Sequence, residues 1–128
     1  MIACQFIFQP GTYDDEFHRL DGAIEEYAQA MDGYIGVDRW GSDDGVRRNS
    51  IYYFADEASV REFSKVTEHL EAKQKYRNWY DGYQIIVSQV LASYGDGRLE
   101  HVVGVGGAAE TRSSVVGKRQ WSALEDGE

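Results

Sequence analysis

The sequence contains one cysteine, one proline and three histidines among 128 residues. A single thiol, Cys4, excludes an internal disulfide and any zinc site built on cysteines. His18, His69 and His101 lie far apart, without the HxxxH or His-x-Glu spacing of a metal centre, so no metal site is expected. No apolar run is long enough to cross a bilayer. Nothing after Met1 has the build of a secretory leader. Positive charge is also scarce: 13 Lys and Arg stand against 22 Asp and Glu, a formal net charge of -9. That field repels nucleic-acid backbones and anionic membranes, and no basic block offsets it. No glycine-rich phosphate loop follows a strand; the late GVGG lacks the required spacing and the helix after it. These absences predict a cytoplasmic protein without nucleic-acid or membrane partners.

What is present is an aromatic-rich chain, long enough for one domain with a core. Aromatic residues make up 13%, which suits a packed core and subunit interface or a pocket for a flat ligand. IACQFIFQ, closed by Pro10-Gly11, reads as a strand. Thr12 can cap a helix whose first turn holds Asp14, Asp15 and Glu16, where the dipole favours carboxylates. Phe17, Leu20, Ile24, Tyr27 and Met31 form its apolar stripe, and Asp32-Gly33 closes it with a glycine that tolerates positive φ. Two strands follow, joined by the turn Ser42-Asp43-Asp44-Gly45. Asp56 can cap a second helix with a stripe of Val60, Phe63, Val66 and Leu70. Residues 83–92 read as a long last strand.

This order, strand-helix-strand-strand-helix-strand, predicts an α+β ferredoxin-like βαββαβ sandwich over residues 1–96. Both faces of the first and last strands carry apolar side chains. Two helices cover only one face, so the other is expected to meet a second copy, sheet against sheet. Residues 97–128 form a C-terminal extension with an extra strand expected at 101–105. The remainder reads as a flexible tail or as an arm anchored on the partner by Trp121.

Several segments resemble the antibiotic biosynthesis monooxygenase family: DGYIGVDRWGS, SIYYFADEASVREF, EHLEAKQ and WYDGYQIIVSQVLASYG. The resemblance runs from Ile2 to Gly95. It implies a dimeric α+β barrel with a small pocket in each subunit between helices and sheet. It implies oxidation of a flat phenolic or polyketide-type molecule by O2, with no metal or organic cofactor. Relatives bind or degrade haem, which makes haem the alternative cofactor. Yet Cys4, Phe63 and Lys73 stand where haem-degrading relatives carry asparagine, tryptophan and the histidine ligand. His69 could still reach iron from one turn earlier. A third reading is a non-catalytic accessory dimer that binds a small molecule.

His69 matches the histidine of the family's Glu-His segment and is the candidate base, since a neutral imidazole can accept a phenolic proton. Trp79 and Tyr80 are expected at the pocket mouth, with Phe63 and Val66 beneath. Tyr52 and Phe54 face one side of their strand and Tyr53 the other; which set lines the pocket is open from sequence. Trp40 and Arg39 end the second strand on opposite faces. Arg39 needs a carboxylate, Asp38 of a second copy being one source, or stabilises a substrate oxyanion. Cys4 reads as a small core residue.

Overall fold

Ile2–Pro10 forms strand β1, rich in β-branched and aromatic residues. It ends at its proline, where the pairing register with the neighbouring strand also shifts. Helix α1 spans Asp15–Ala30. Its N-cap is Asp14 rather than Thr12: the Asp14 carboxylate accepts the Phe17 N–H at 2.8 Å. Asp14→Ala removes this acceptor and is expected to cost about 1 kcal/mol, read as a shift of the urea midpoint. The buried face of α1 is Phe17, Leu20, Ile24 and Ala28, while Tyr27 is exposed. The smaller Ala28, not Tyr27, lets the helix end close onto the sheet.

Strands β2 (Tyr34–Gly41) and β3 (Arg48–Phe54) flank the expected turn, where Gly45 has φ of 75°. Gly33 is not in the left-handed region; a side chain there would collide with Ser59. Close approach of two chain segments, not backbone sign, therefore asks for glycine at 33. Helix α2 spans Glu57–Leu70, and Asp56 accepts the Ser59 N–H at 2.8 Å as expected. Strand β4 spans Tyr80–Gln89, three residues earlier than the sequence pattern predicts. The structure, a computed structural model, describes residues 1–70 and 79–104, with side chains up to residue 65 and again from residue 79. Among the described residues no helix is long and apolar enough to cross a membrane.

The sheet order is β2-β3-β1-β4, with every neighbouring pair antiparallel. This is the ferredoxin-like arrangement. α1 packs on β2, and α2 packs on β1 and β3. The registers place side chains in rows across the helix-covered face: Val37, Tyr52, Cys4, Val87; then Arg39, Ser50, Phe6, Ile85; then Gly41, Arg48, Phe8, Tyr83. Ile2, Cys4, Val37, Tyr52 and Phe54 join Ile24, Ala28, Val60 and Phe63 in the main core. A second core cluster holds Phe17, Leu20 and Trp79.

The expected strand at 101–105 does not form over the described residues. His101 to Gly104 make a turn closed by the Gly104 N–H on the His101 carbonyl at 3.0 Å, with Gly104 at φ 74°. This turn lies on the face away from the helices. His101 Nδ1 accepts the Val103 N–H at 3.1 Å, so the neutral ring carries its proton on Nε2 and donates it to Asp38 at 3.1 Å. The imidazole also stands edge-on to Tyr53, and Val102 and Val103 are buried. Part of the face expected to meet a second copy is thus covered by the chain's own residues.

Candidate functional site

Arg39 alternates with Asp38 and Trp40 on β2, and the pleat sends it under α1. Its guanidinium is spent on neighbours of the same chain. Nε donates to Ser50 Oγ at 3.2 Å, and Nη2 donates to Glu25 Oε2 and to the Tyr52 hydroxyl, both at 2.6 Å. The Tyr52 hydroxyl in turn donates to Glu25 Oε2 at 2.9 Å. The Arg39 side chain is 1% exposed and that of Glu25 17%. Glu25 of α1 is therefore the required carboxylate, whereas Asp38 is engaged with His101. Burial disfavours the charged guanidinium, but Tyr52 and Glu25 outweigh it and hold the Arg39 pKa above its ordinary value. Burial likewise raises the pKa of Tyr52; Arg39 opposes this and Glu25 adds to it. Tyr52 is thus fixed as a neutral phenol, with its proton directed at Glu25.

Tyr34 lies against the same cluster. Its hydroxyl is buried with no hydrogen-bond partner among the described residues, and burial followed by the Glu25 charge raises its pKa. The Tyr52 and Phe54 rings pack on Phe63 at 5.0 and 5.2 Å between centroids. The polar triad therefore locks the ring that supports α2.

At the other end of the rows the helix-side face is open. Tyr83, Ile85 and Val87 of β4 share the side of Phe6 and Cys4, yet are 47, 53 and 52% exposed. Phe6 packs on Tyr80 and Tyr83 at 5.2 and 5.7 Å. The result is an apolar trough floored by β1 and β4, with aromatic rings at one end. Such a surface takes a flat apolar ligand through its faces.

The structure brings together Tyr52, Phe54, Phe63 and Arg39 on the helix side. Trp79 is not at a mouth: it is buried against Phe17 of α1, and its carbonyl accepts the Gly11 N–H at 2.6 Å. Tyr80 is half-buried against Phe6, Phe8 and Tyr13 and borders the trough. Trp40 is exposed on the opposite face of the sheet from Arg39. The side chains of Val66 and His69 lie outside the described residues. Glu25 was not singled out from sequence, although its place beside Ile24 on a buried stripe is a signal. Among the described residues no His, Cys, Asp or Glu cluster could hold a metal ion.

Neither a family model nor a curated protein matches the sequence. Solved structures do match the fold. SnoaB from Streptomyces nogalater, a cofactor-independent oxygenase, superposes with a TM-score of 0.57 at 11% identity, over 72% of this chain and 94% of its own. A candidate antibiotic biosynthesis monooxygenase from Deinococcus radiodurans gives 0.55 at 10% identity, over 74% and 97%. A dabb family protein with a ferredoxin-like fold from Mesorhizobium loti gives 0.51 at 12% identity, over 70% and 96%. The chain thus has the ferredoxin-like α+β fold found in antibiotic biosynthesis monooxygenase-type and dabb proteins.

Proposed function

We propose that the protein is a small oxygenase that uses O2, without metal or organic cofactor, to oxidise a flat phenolic molecule bound in the trough beside β4. The observation that carries this reading is the open row of Phe6, Tyr83, Ile85 and Val87 on an otherwise covered sheet face. The fold shared with a cofactor-independent oxygenase supports it. An apolar trough favours the chemistry in two ways. It lays the ring against Phe6, Tyr83, Ile85 and Val87, and it offers no charged group to compete for the reactive anion. Loss of a proton from an anthrone-type CH2 leaves an electron-rich enolate. This passes one electron to O2, and the resulting radicals combine in a C–O bond. Loss of water then turns CH2 into C=O, with the second oxygen atom leaving in the water.

His69 of α2 is our candidate base. Arg39 does not bind the oxyanion in this scheme, because its donors already serve Ser50, Glu25 and Tyr52. It and Glu25 are positioning residues that fix Tyr52 and, through Phe63, helix α2.

Oxygen uptake and quinone absorbance with a panel of anthrones test this reading. Turnover is expected above the spontaneous rate, and His69→Ala is expected to lower it about 100-fold or more. Ile85→Glu should abolish substrate binding. Quinone formation at the spontaneous rate across the panel overturns the reading. Unchanged turnover in His69→Ala overturns the base assignment alone.

A further inference from the structure

β4 is an outer strand of the sheet, and on its helix side Tyr83, Ile85 and Val87 stay half-exposed. A molecule lying on this row is held by one face and wetted on the other. An anion that must meet O2 rather than water calls for a cover. The sequence beyond Gly104, the last described residue, has the composition of one. Residues 111–124 read TRSSVVGKRQWSAL, with apolar Val115, Val116, Trp121 and Leu124 and no Asp or Glu. Arg112, Lys118 and Arg119 give the stretch three positive charges, so a total of -9 puts -12 on the rest of the chain. Opposite charge draws the stretch onto its own body, and its apolar residues are driven to an apolar surface there.

Where the stretch sets out decides which surface it finds. Ser93 Oγ donates to the Gly104 carbonyl at 3.4 Å, so residue 105 begins beside Ser93. Ser93 is six residues past Val87, at most about 20 Å along an extended chain. The floor from Tyr83 to Val87 is about 14 Å long. Trp121 is 17 residues past Gly104, a reach of up to about 56 Å. The reach therefore exceeds the way to the trough and the whole length of its floor. β4 has no neighbour on its outer side, so the path round the sheet edge is open among the described residues.

We propose that residues 111–124 fold over the trough of their own chain, with Trp121 laid on the row of Tyr83, Ile85 and Val87. Tethering holds this segment at an effective concentration on the order of millimolar, which favours it over any unlinked peptide of the same chemistry. The trough becomes a closed site, and the bound molecule is dry on both faces. That purpose rests on the oxygenase reading; the contact itself does not. Trp121 is thereby assigned to its own chain rather than to a partner.

Maleimide labelling of Ile85→Cys in the full chain tests the contact without using turnover. Cys4 is buried, and the unaltered protein gives its slow background rate. Adding Trp121→Ser is expected to speed labelling at position 85 about tenfold, the release of a contact worth about 1.4 kcal/mol. Lys118→Glu/Arg119→Glu is expected to speed it as well. If the change at 85 disturbs folding, Val87→Cys repeats the measurement at the other end of the row. An equal rate with and without Trp121→Ser overturns the proposal, whatever the anthrone panel gives. Protection that fades on dilution assigns the cover to another molecule and overturns it too. Protection by Trp121 together with an inert anthrone panel supports the cover and overturns the oxygenase reading alone.

Discussion

Glu25→Ala is expected to remove about 3 kcal/mol of folding stability, the cost of taking from a buried charge the carboxylate that binds it through two hydrogen bonds. The Arg39 side chain is 1% exposed, so water cannot replace the lost carboxylate. Ser50 and Tyr52 donate no charge to replace it, Tyr52 loses its own acceptor at the same time, and Asp21 is left as the carboxylate whose charge still acts on Arg39. That loss is a large part of the 5–15 kcal/mol that holds a typical domain together. Urea midpoints at neutral pH measure it. The triple replacement Glu25→Leu/Arg39→Met/Tyr52→Phe is the informative contrast. It removes every charge and polar group of the triad together, and should be far milder than the single change. A single change costing under about 1 kcal/mol would show that Arg39 reaches solvent.

Alkali is expected to unfold the protein steeply from about pH 10. An unfolded tyrosine loses its proton near that value. Burial raises the pKa of Tyr34 and Tyr52, so the folded chain keeps protons that the unfolded chain has released. The stabilisation is fully present below the unfolded pKa and is lost as pH rises toward the folded values. Each phenol contributes a fall of about 1.4 kcal/mol per pH unit in that window. These two together make about 3 kcal/mol per unit, and Tyr53 and Cys4, whose pKa values burial also raises, add to the fall. Urea midpoints from pH 8 to 11.5 read the slope. Tyr34→Phe should lower it by about 1.4 kcal/mol per unit, and should stabilise the protein by about 1 kcal/mol at neutral pH, because it deletes a buried hydroxyl without a partner among the described residues. An unchanged slope in that variant would place the alkaline transition elsewhere.

The sequence made the element order legible because each element carries its own local signal. Strand β1 ends at its only proline, the Ser42–Gly45 turn holds its glycine at positive φ, and Asp56 caps α2. The ends of α1 were less legible. Thr12 and Asp14 both cap well, and nothing local decides between them. Tyr27 and Ala28 fit nearly the same helical face, and only the distance to the sheet selects the smaller. The candidate site was legible in its aromatic residues and opaque in its polar ones. Arg39 plainly needed a carboxylate, but 14 residues and one helix separate it from Glu25. Pattern reading finds apolar stripes, and Glu25 sits on the edge of one. The turn from His101 to Gly104 escaped for a different reason: His101 and its partner Asp38 are 63 residues apart and follow no period.

The position of β1 also governs when the sheet can form. β1 lies between β3 and β4, and its first residues pair with the last residues of β4, Ile2 with Gln89. A ribosome releases these strands at opposite ends of the job. The first strand made must wait, with one edge unpaired, until the last has emerged. That wait gives the chain a high contact order and a slow sheet closure. It also leaves a run of Ile, Phe, Ile and Phe available to other chains in the meantime. The strand order thus builds an interval of exposure to other chains into the synthesis of this protein.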